Sequence, residues 1–141
     1  RLRADCVVVT GGCGVALDRV MPLASALRHD VLTGGVAIVR ELFSEPNDLL
    51  VCDAVVAEAL SGGPDEAIAG ITTMIDALEY VSTHPDAAAW AGASRRRLRH
   101  TNPRRLGDAI IAGVAWHLDA TVVTRNPADF EIQGVRVLGY E

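Results

Sequence analysis

Apolar positions along this chain fall into short clusters separated by polar turns, and their spacing alternates between that of strands and that of helices. Val15-Ala16-Leu17 reads as a short buried strand ending at Asp18, and Val20 to Leu27 follows helical spacing with Pro22 in its first turn. Val36 to Phe43 predicts a second helix, stopped near Pro46. Asn47-Asp48 makes a turn, and Leu49-Leu50-Val51-Cys52 is a fully apolar run of strand length. Asp53 stands where it can cap the next helix, which carries Val55, Val56, Ala59 and Leu60 and ends at Gly62-Gly63. Pro64 opens another helix, with Ile68, Ile71, Ile75 and Leu78 at helical spacing, and Leu78 to Val81 suggests a strand. Pro85 to Leu98 and Asp108 to Leu118 read as helices, the second the most apolar of all. Thr121-Val122-Val123 predicts a central strand and Val135-Arg136-Val137-Leu138 an edge strand. Strands alternating with helices imply an α/β fold, a mostly parallel sheet with helices on both faces. No linker or repeat divides residues 1–141, which read as a single domain with residues 1–13 set apart as a candidate N-terminal extension.

Composition narrows this further. Half of the 141 residues are hydrophobic and only 4% aromatic, so Ala, Val, Leu and Ile must build the core. Trp116 and Phe130 are the aromatics expected inside it. No run approaches the roughly 18 apolar residues of a membrane span. The stretch from Arg1 to Leu17, basic and then apolar, is reminiscent of a secretory leader, but Asp5 and Gly11, Gly12 and Gly14 interrupt it. Cys6, Cys13 and Cys52 lack the spacing of a zinc or disulfide framework and fit small core residues in a reducing cytoplasm. His29, His84, His100 and His117 are scattered and predict no metal-binding set. The net charge of −5 excludes a general polyanion binder. Even so, six of the 13 basic residues fall between Arg95 and Arg105, and all are arginine.

The candidate chemistry is acidic. Asp18 follows the first predicted strand, Glu58 lies on the helix after the second, Asp108 opens a helix and Asp129 follows a later strand. Sites in open parallel sheets gather at the carboxyl ends of strands. Clustered carboxylates repel one another unless a hard cation such as Mg²⁺ or Mn²⁺ joins them. Each acid also has a plainer role: Asp18 and Asp108 as helix caps, Glu58 on a solvated face, Asp129 in an Asx turn. Val7-Val8-Val9-Thr10-Gly11-Gly12-Cys13-Gly14 is similar to the glycine turn of a dinucleotide-binding fold. However, Leu17 stands where the third glycine belongs, and no acid follows at the ribose-binding distance.

The motifs L-L-V-C-D-A-V-V-A-E, A-W-A-G-A-S-R-R-R-L-R, G-D-A-I-I-A-G-V-A, T-V-V-T-R-N-P-A-D-F and G-V-R-V-L together resemble a PIN domain of the VapC toxin type, over about two-thirds of the chain. The resemblance implies a PIN-like fold and a metal-dependent endoribonuclease that uses one or two Mg²⁺ or Mn²⁺ ions and a metal-activated water. By it, Glu58, Asp108 and Asp129 match the family's acids. Asp18 is the best match for the first acid, with Asp30 as a fallback. Thr124 and Asn126 stand where polar residues flank the metal site. It further implies a cognate antitoxin and a homodimer. Arg95, Arg96, Arg97, Arg99, Arg104 and Arg105, just ahead of Asp108, are candidates to hold an RNA backbone, or else form a solvated helix face. A PIN-like module that has lost catalysis is the alternative.

Overall fold

The computed structural model describes residues 6–9, 48–61, 64–99, 106–124 and 126–139. The strand expected at Val15–Leu17 and the helices expected at Val20–Leu27 and Val36–Phe43 lie outside the described residues.

The described elements run β1 (Cys6–Val9), β2 (Asp48–Cys52), α1 (Asp53–Leu60), α2 (Asp65–Ile75), β3 (Glu79–Val81), α3 (Pro85–Leu98), α4 (Leu106–His117), β4 (Thr121–Thr124), α5 (Pro127–Glu131) and β5 (Arg136–Gly139). The five strands form one sheet in the order β3-β2-β1-β4-β5. All four pairings are parallel: Cys6 sits beside Asp48, Val7 beside Thr121, Leu50 beside Glu79 and Thr121 beside Arg136. Successive strand residues point to opposite faces, and Leu49–Cys52 and Thr121–Thr124 are buried at every position. Both faces of these strands are therefore covered, as the unbroken apolar runs predict. β5 is an edge strand, as its mixed pattern implies.

The N-terminal stretch departs from expectation. Residues 1–13 read as an extension, yet Cys6–Val9 is the central strand, hydrogen-bonded to β2 on one side and β4 on the other. Three consecutive valines supply the stiff, β-branched backbone that such a position favours. Gly11, Gly12 and Gly14, which suggest a dinucleotide turn in the sequence, lie outside the described residues.

The core lies where α4 meets the sheet. Ile111, Ala112, Val114 and Ala115 pack with Leu50, Val51, Cys52, Val55, Val122 and Phe130. Small residues let α3 press closely onto α4. Ala87 and Ala91 are buried, and a Cβ added to Gly113 would fall 3.1 Å from the Ala87 carbonyl carbon and closer still to its oxygen. Trp116, expected in the core, is instead 49% exposed. The last turn of α4 emerges from the core, and its indole stacks on Trp90 at 5.7 Å. Phe130 is buried as expected. The turn after β4 is a short helix, α5, with Pro127 in its first turn supplying the fixed φ that helix starts favour. Gly134, at φ +83°, reverses the chain into β5 in a conformation that glycine adopts without strain.

Candidate functional site

Three of the four expected acids lie on described elements. Glu58 is on α1, which leaves the carboxyl end of β2 directly, and Asp108 is in the first turn of α4. Asp129 is in the first turn of α5, just past the carboxyl end of β4. Asp18 and Asp30 lie outside the described residues. β1 ends at Val9, and the sequence runs Thr10-Gly11-Gly12-Cys13-Gly14-Val15-Ala16-Leu17 before Asp18, so no acid directly follows the central strand.

α1 packs across α4, and this brings Glu58 to the start of α4. A Cβ built on Gly107 would lie 3.3 Å from Glu58 Cδ and would overlap its Oε1. Glycine at this position thus admits a carboxylate against the helix backbone, one residue from Asp108. Glu58 is exposed, while Asp108 and Asp129 are half-buried, and each of the three engages further groups.

The turn holding Asp129 is tied down by polar contacts. The buried Thr124 hydroxyl accepts from the Asn126 amide at 3.1 Å, and the Asp129 amide donates to the Asn126 carbonyl at 3.2 Å. Asn126 stands at the N-cap of α5 but makes no side-chain cap bond. Gln133, also buried, donates from Nε2 to the Asp129 carbonyl at 2.9 Å. Its Oε1 accepts from Ser94 Oγ at 3.3 Å, and its carbonyl accepts from Arg97 Nη2 at 3.2 Å. Gln133 therefore joins α3 to α5; it carries no local motif, and the sequence pattern does not single it out.

The donor set is all oxygen, which suits a hard dication. The three acids do not form a group of donors within 4.8 Å of one another; among the described residues only His84, Asp86 and His117 do. Mg²⁺ needs only one or two direct carboxylates and keeps several waters. Glu58, lying against Gly107, and Asp108, the next residue along α4, are candidates for that role.

The arginines separate into two groups. Arg95, Arg96 and Arg99 line an open groove of about 420 Å³ between α3 and α4, with Ala91, Leu106 and Ile110 among its apolar walls. Arg97 lies about 200° around the helix from Arg95, and its guanidinium is committed to Gln133. Arg104 and Arg105 lie outside the described residues.

Asp53, expected to cap α1, does something else. It is the first residue of α1, and its carboxylate accepts from the Tyr80 hydroxyl and from the Thr83 amide, the latter at 2.5 Å. These bonds, Tyr80 first, hold its pKa below the ordinary 3.8. The same bond raises the Tyr80 phenol. Burial raises the Cys52 thiol, consistent with an inert core residue. The histidines also depart from expectation: His84 and His117 stack with centroids 4.3 Å apart, and Asp86 joins them. Contact between residues 33 positions apart leaves no trace in local spacing.

The all-parallel sheet, with the candidate acids Glu58, Asp108 and Asp129 on helices α1, α4 and α5, defines an α/β protein. The PIN domain family model matches residues 34–132, most of the chain, and the chain belongs to that family. PIN domains are generally nucleases. A comparison with curated proteins gave no match. Among solved structures, the chain is similar to VapBC2 from Rickettsia felis bound to a DNA fragment from their promoter. That match has a TM-score of 0.68 and 18% identity, and covers 96% of this chain and 99% of the other. DNA-bound VapBC from Salmonella typhimurium gives 0.65 and 21%, covering 94% and 96%. A toxin–antitoxin complex from Klebsiella pneumoniae gives 0.55 and 18%, covering 88% and 89%. Among the described residues no helix is long and apolar enough to cross a membrane.

Proposed function

We propose that this PIN domain is a metal-dependent endoribonuclease and the toxin of a toxin–antitoxin pair. The observation that carries the reading is the approach of Glu58 to Gly107 beside Asp108, within a family of nucleases. Glu58 and Asp108 would hold Mg²⁺ or Mn²⁺, with Asp129, and Asp18 from outside the described residues, completing the acidic set. When bound, the ion supplies a more acidic water and positive charge at a phosphodiester. The protein's own part is to hold carboxylates on rigid elements. Asp108 is fixed by a helix whose middle is buried, and Asp129 by the Thr124–Asn126–Gln133 bonds. Arg95, Arg96 and Arg99 offer planar donors to an RNA backbone, and the scarcity of aromatic residues favours recognition through phosphate and shape. Similarity to VapBC and to a toxin–antitoxin complex supports a cognate antitoxin as partner. A homodimer and a cytoplasmic location belong to the same reading.

The test is cleavage of total cellular RNA in Mg²⁺, Mn²⁺ or EDTA, mapped by sequencing of new 5′ ends, with Asp108→Asn in parallel. New ends that require metal and disappear in the variant support the reading; metal-independent ends, or full activity in Asp108→Asn, overturn it. The stretch Thr10-Gly11-Gly12, with no acid directly after β1, favours one second reading: a PIN module with impaired catalysis that acts by binding. Weak Mn²⁺ binding by the intact chain, together with absent cleavage, would select it.

A further inference from the structure

A second donor cluster lies at the far end of α4 from Asp108. His84 stands at the N-cap of α3, Asp86 is in that helix's first turn, and His117 is the last residue of α4. The close packing of α3 on α4 brings the three together. His84 Nδ1 lies 3.5 Å from Asp86 Oδ2 and accepts from the Asp86 amide at 3.2 Å. The His84 and His117 rings stack at 4.3 Å with 9° between their planes. One ligand atom from each of the three residues falls within 4.8 Å of the others.

We propose that His84, Asp86 and His117 form a binding site for a first-row transition-metal dication, Zn²⁺ foremost, separate from the acidic site. Two imidazoles and a carboxylate are a borderline donor set that suits Zn²⁺, Co²⁺ or Ni²⁺ and discriminates against Mg²⁺, the reverse of the all-oxygen set around Asp108. The two sites are also apart in space. Asp108 and His117 are nine residues apart on one helix, about 13–14 Å along its axis. A tetrahedral ion with bonds of about 2.0–2.1 Å holds its donors roughly 3.4 Å apart, so donors that lie within 4.8 Å of one another have to draw closer on binding. All three residues are exposed. Parallel rings cannot both aim in-plane lone pairs at one point, so binding opens the 9° angle between them. Three protein ligands leave a coordination position for water or for an outside ligand. The ion would link the start of α3 to the end of α4.

The experiment is calorimetric titration of the full chain with Zn²⁺ and, separately, Mg²⁺. The proteins compared are the unaltered chain, Asp108→Asn, His84→Ala and His117→Ala, each checked by far-UV circular dichroism. Co²⁺ absorption in the visible reports nitrogen ligation. The expected result is one Zn²⁺ equivalent in the unaltered chain and in Asp108→Asn, with affinity at least tenfold weaker in both histidine variants. Co²⁺ bands should follow the same pattern. Zn²⁺ binding that survives both histidine changes, or that vanishes with Asp108→Asn alone, assigns the ion to the acidic site and overturns the proposal. So does the absence of Zn²⁺ binding by the unaltered chain. Because the readout is metal binding, the result is independent of any RNA cleavage.

Discussion

Gly107→Ala separates the stability of the fold from the working of the acidic site. Gly107 lies in the first turn of α4, and its φ is outside the left-handed region, so alanine fits the backbone there. Exchanging glycine for alanine in a helix is worth up to about 1 kcal/mol in favour of the folded state. The new methyl would sit 3.3 Å from Glu58 Cδ and overlap Oε1. Carbon and oxygen need roughly 3.5 Å, so the carboxylate has to move by on the order of 1 Å. Glu58 is exposed and the clash falls on the far end of its side chain, so this displacement is cheap for the fold. For a catalytic group, a misplacement of about 1 Å can cost on the order of 100-fold in rate. The variant is therefore expected to melt at the same temperature as the parent or a few degrees higher, while Mn²⁺ affinity falls by about tenfold or more and RNA cleavage by about 10–100-fold. Thermal unfolding, Mn²⁺ calorimetry and a cleavage time course measure the three quantities. Unchanged metal affinity in a more stable protein would refute the link between Glu58 and the site. A clear loss of stability would show that the backbone, and not the side chain, gives way.

Gly113→Ala should behave in the opposite way. Its methyl meets the Ala87 backbone, which cannot step aside, so overpacking of about 1–3 kcal/mol outweighs the helix gain, and the urea midpoint falls. Asp53 should make stability depend on pH. Its folded pKa lies below 3.8, so its contribution is fully present well above pH 3.8 and is lost as pH falls from there through its depressed folded value. The stability gap between the parent and Asp53→Asn, read by urea unfolding at several pH values, is therefore expected to close in acid; a gap that widens there would contradict the assignment. Arg97→Ala should cost about 1 kcal/mol through the missing bond to Gln133 and leave the salt dependence of RNA binding unchanged. Replacing Arg95 and Arg96 with alanine should instead lower the slope of log affinity against log salt by about 0.7 for each phosphate no longer neutralised, as measured by fluorescence anisotropy.

The strands and helices after Asp48 are legible in the sequence because local pattern and final position agree. Leu49–Cys52 and Thr121–Thr124 are apolar or β-branched throughout, and α3 spans Pro85–Leu98, the run that proline at its start and the arginines at its end delimit. The central strand is not, because four residues carry no period of their own and the glycines behind them suggest another fold. The acids Glu58, Asp108 and Asp129 can be placed on elements from sequence, but the approach of Glu58 to Gly107 cannot, since it depends on how α1 crosses α4. The exposure of Trp116 and the meeting of His84 with His117 have the same origin. Both are set by where α4 leaves the core, which hydrophobic spacing does not record.

The buried amide of Gln133 has a mechanical consequence. It holds Ser94 on α3 and Asp129 on α5 with opposite ends of one planar group, while Arg97 grips its backbone. Helix and turn are thereby fastened at a fixed spacing, as two jaws are by a common pin. A molecule seated along the arginine-lined groove would be held at a set offset from Asp129. Loosening that pin, as Gln133→Ala would, lets the offset wander without removing a single charged group from either side.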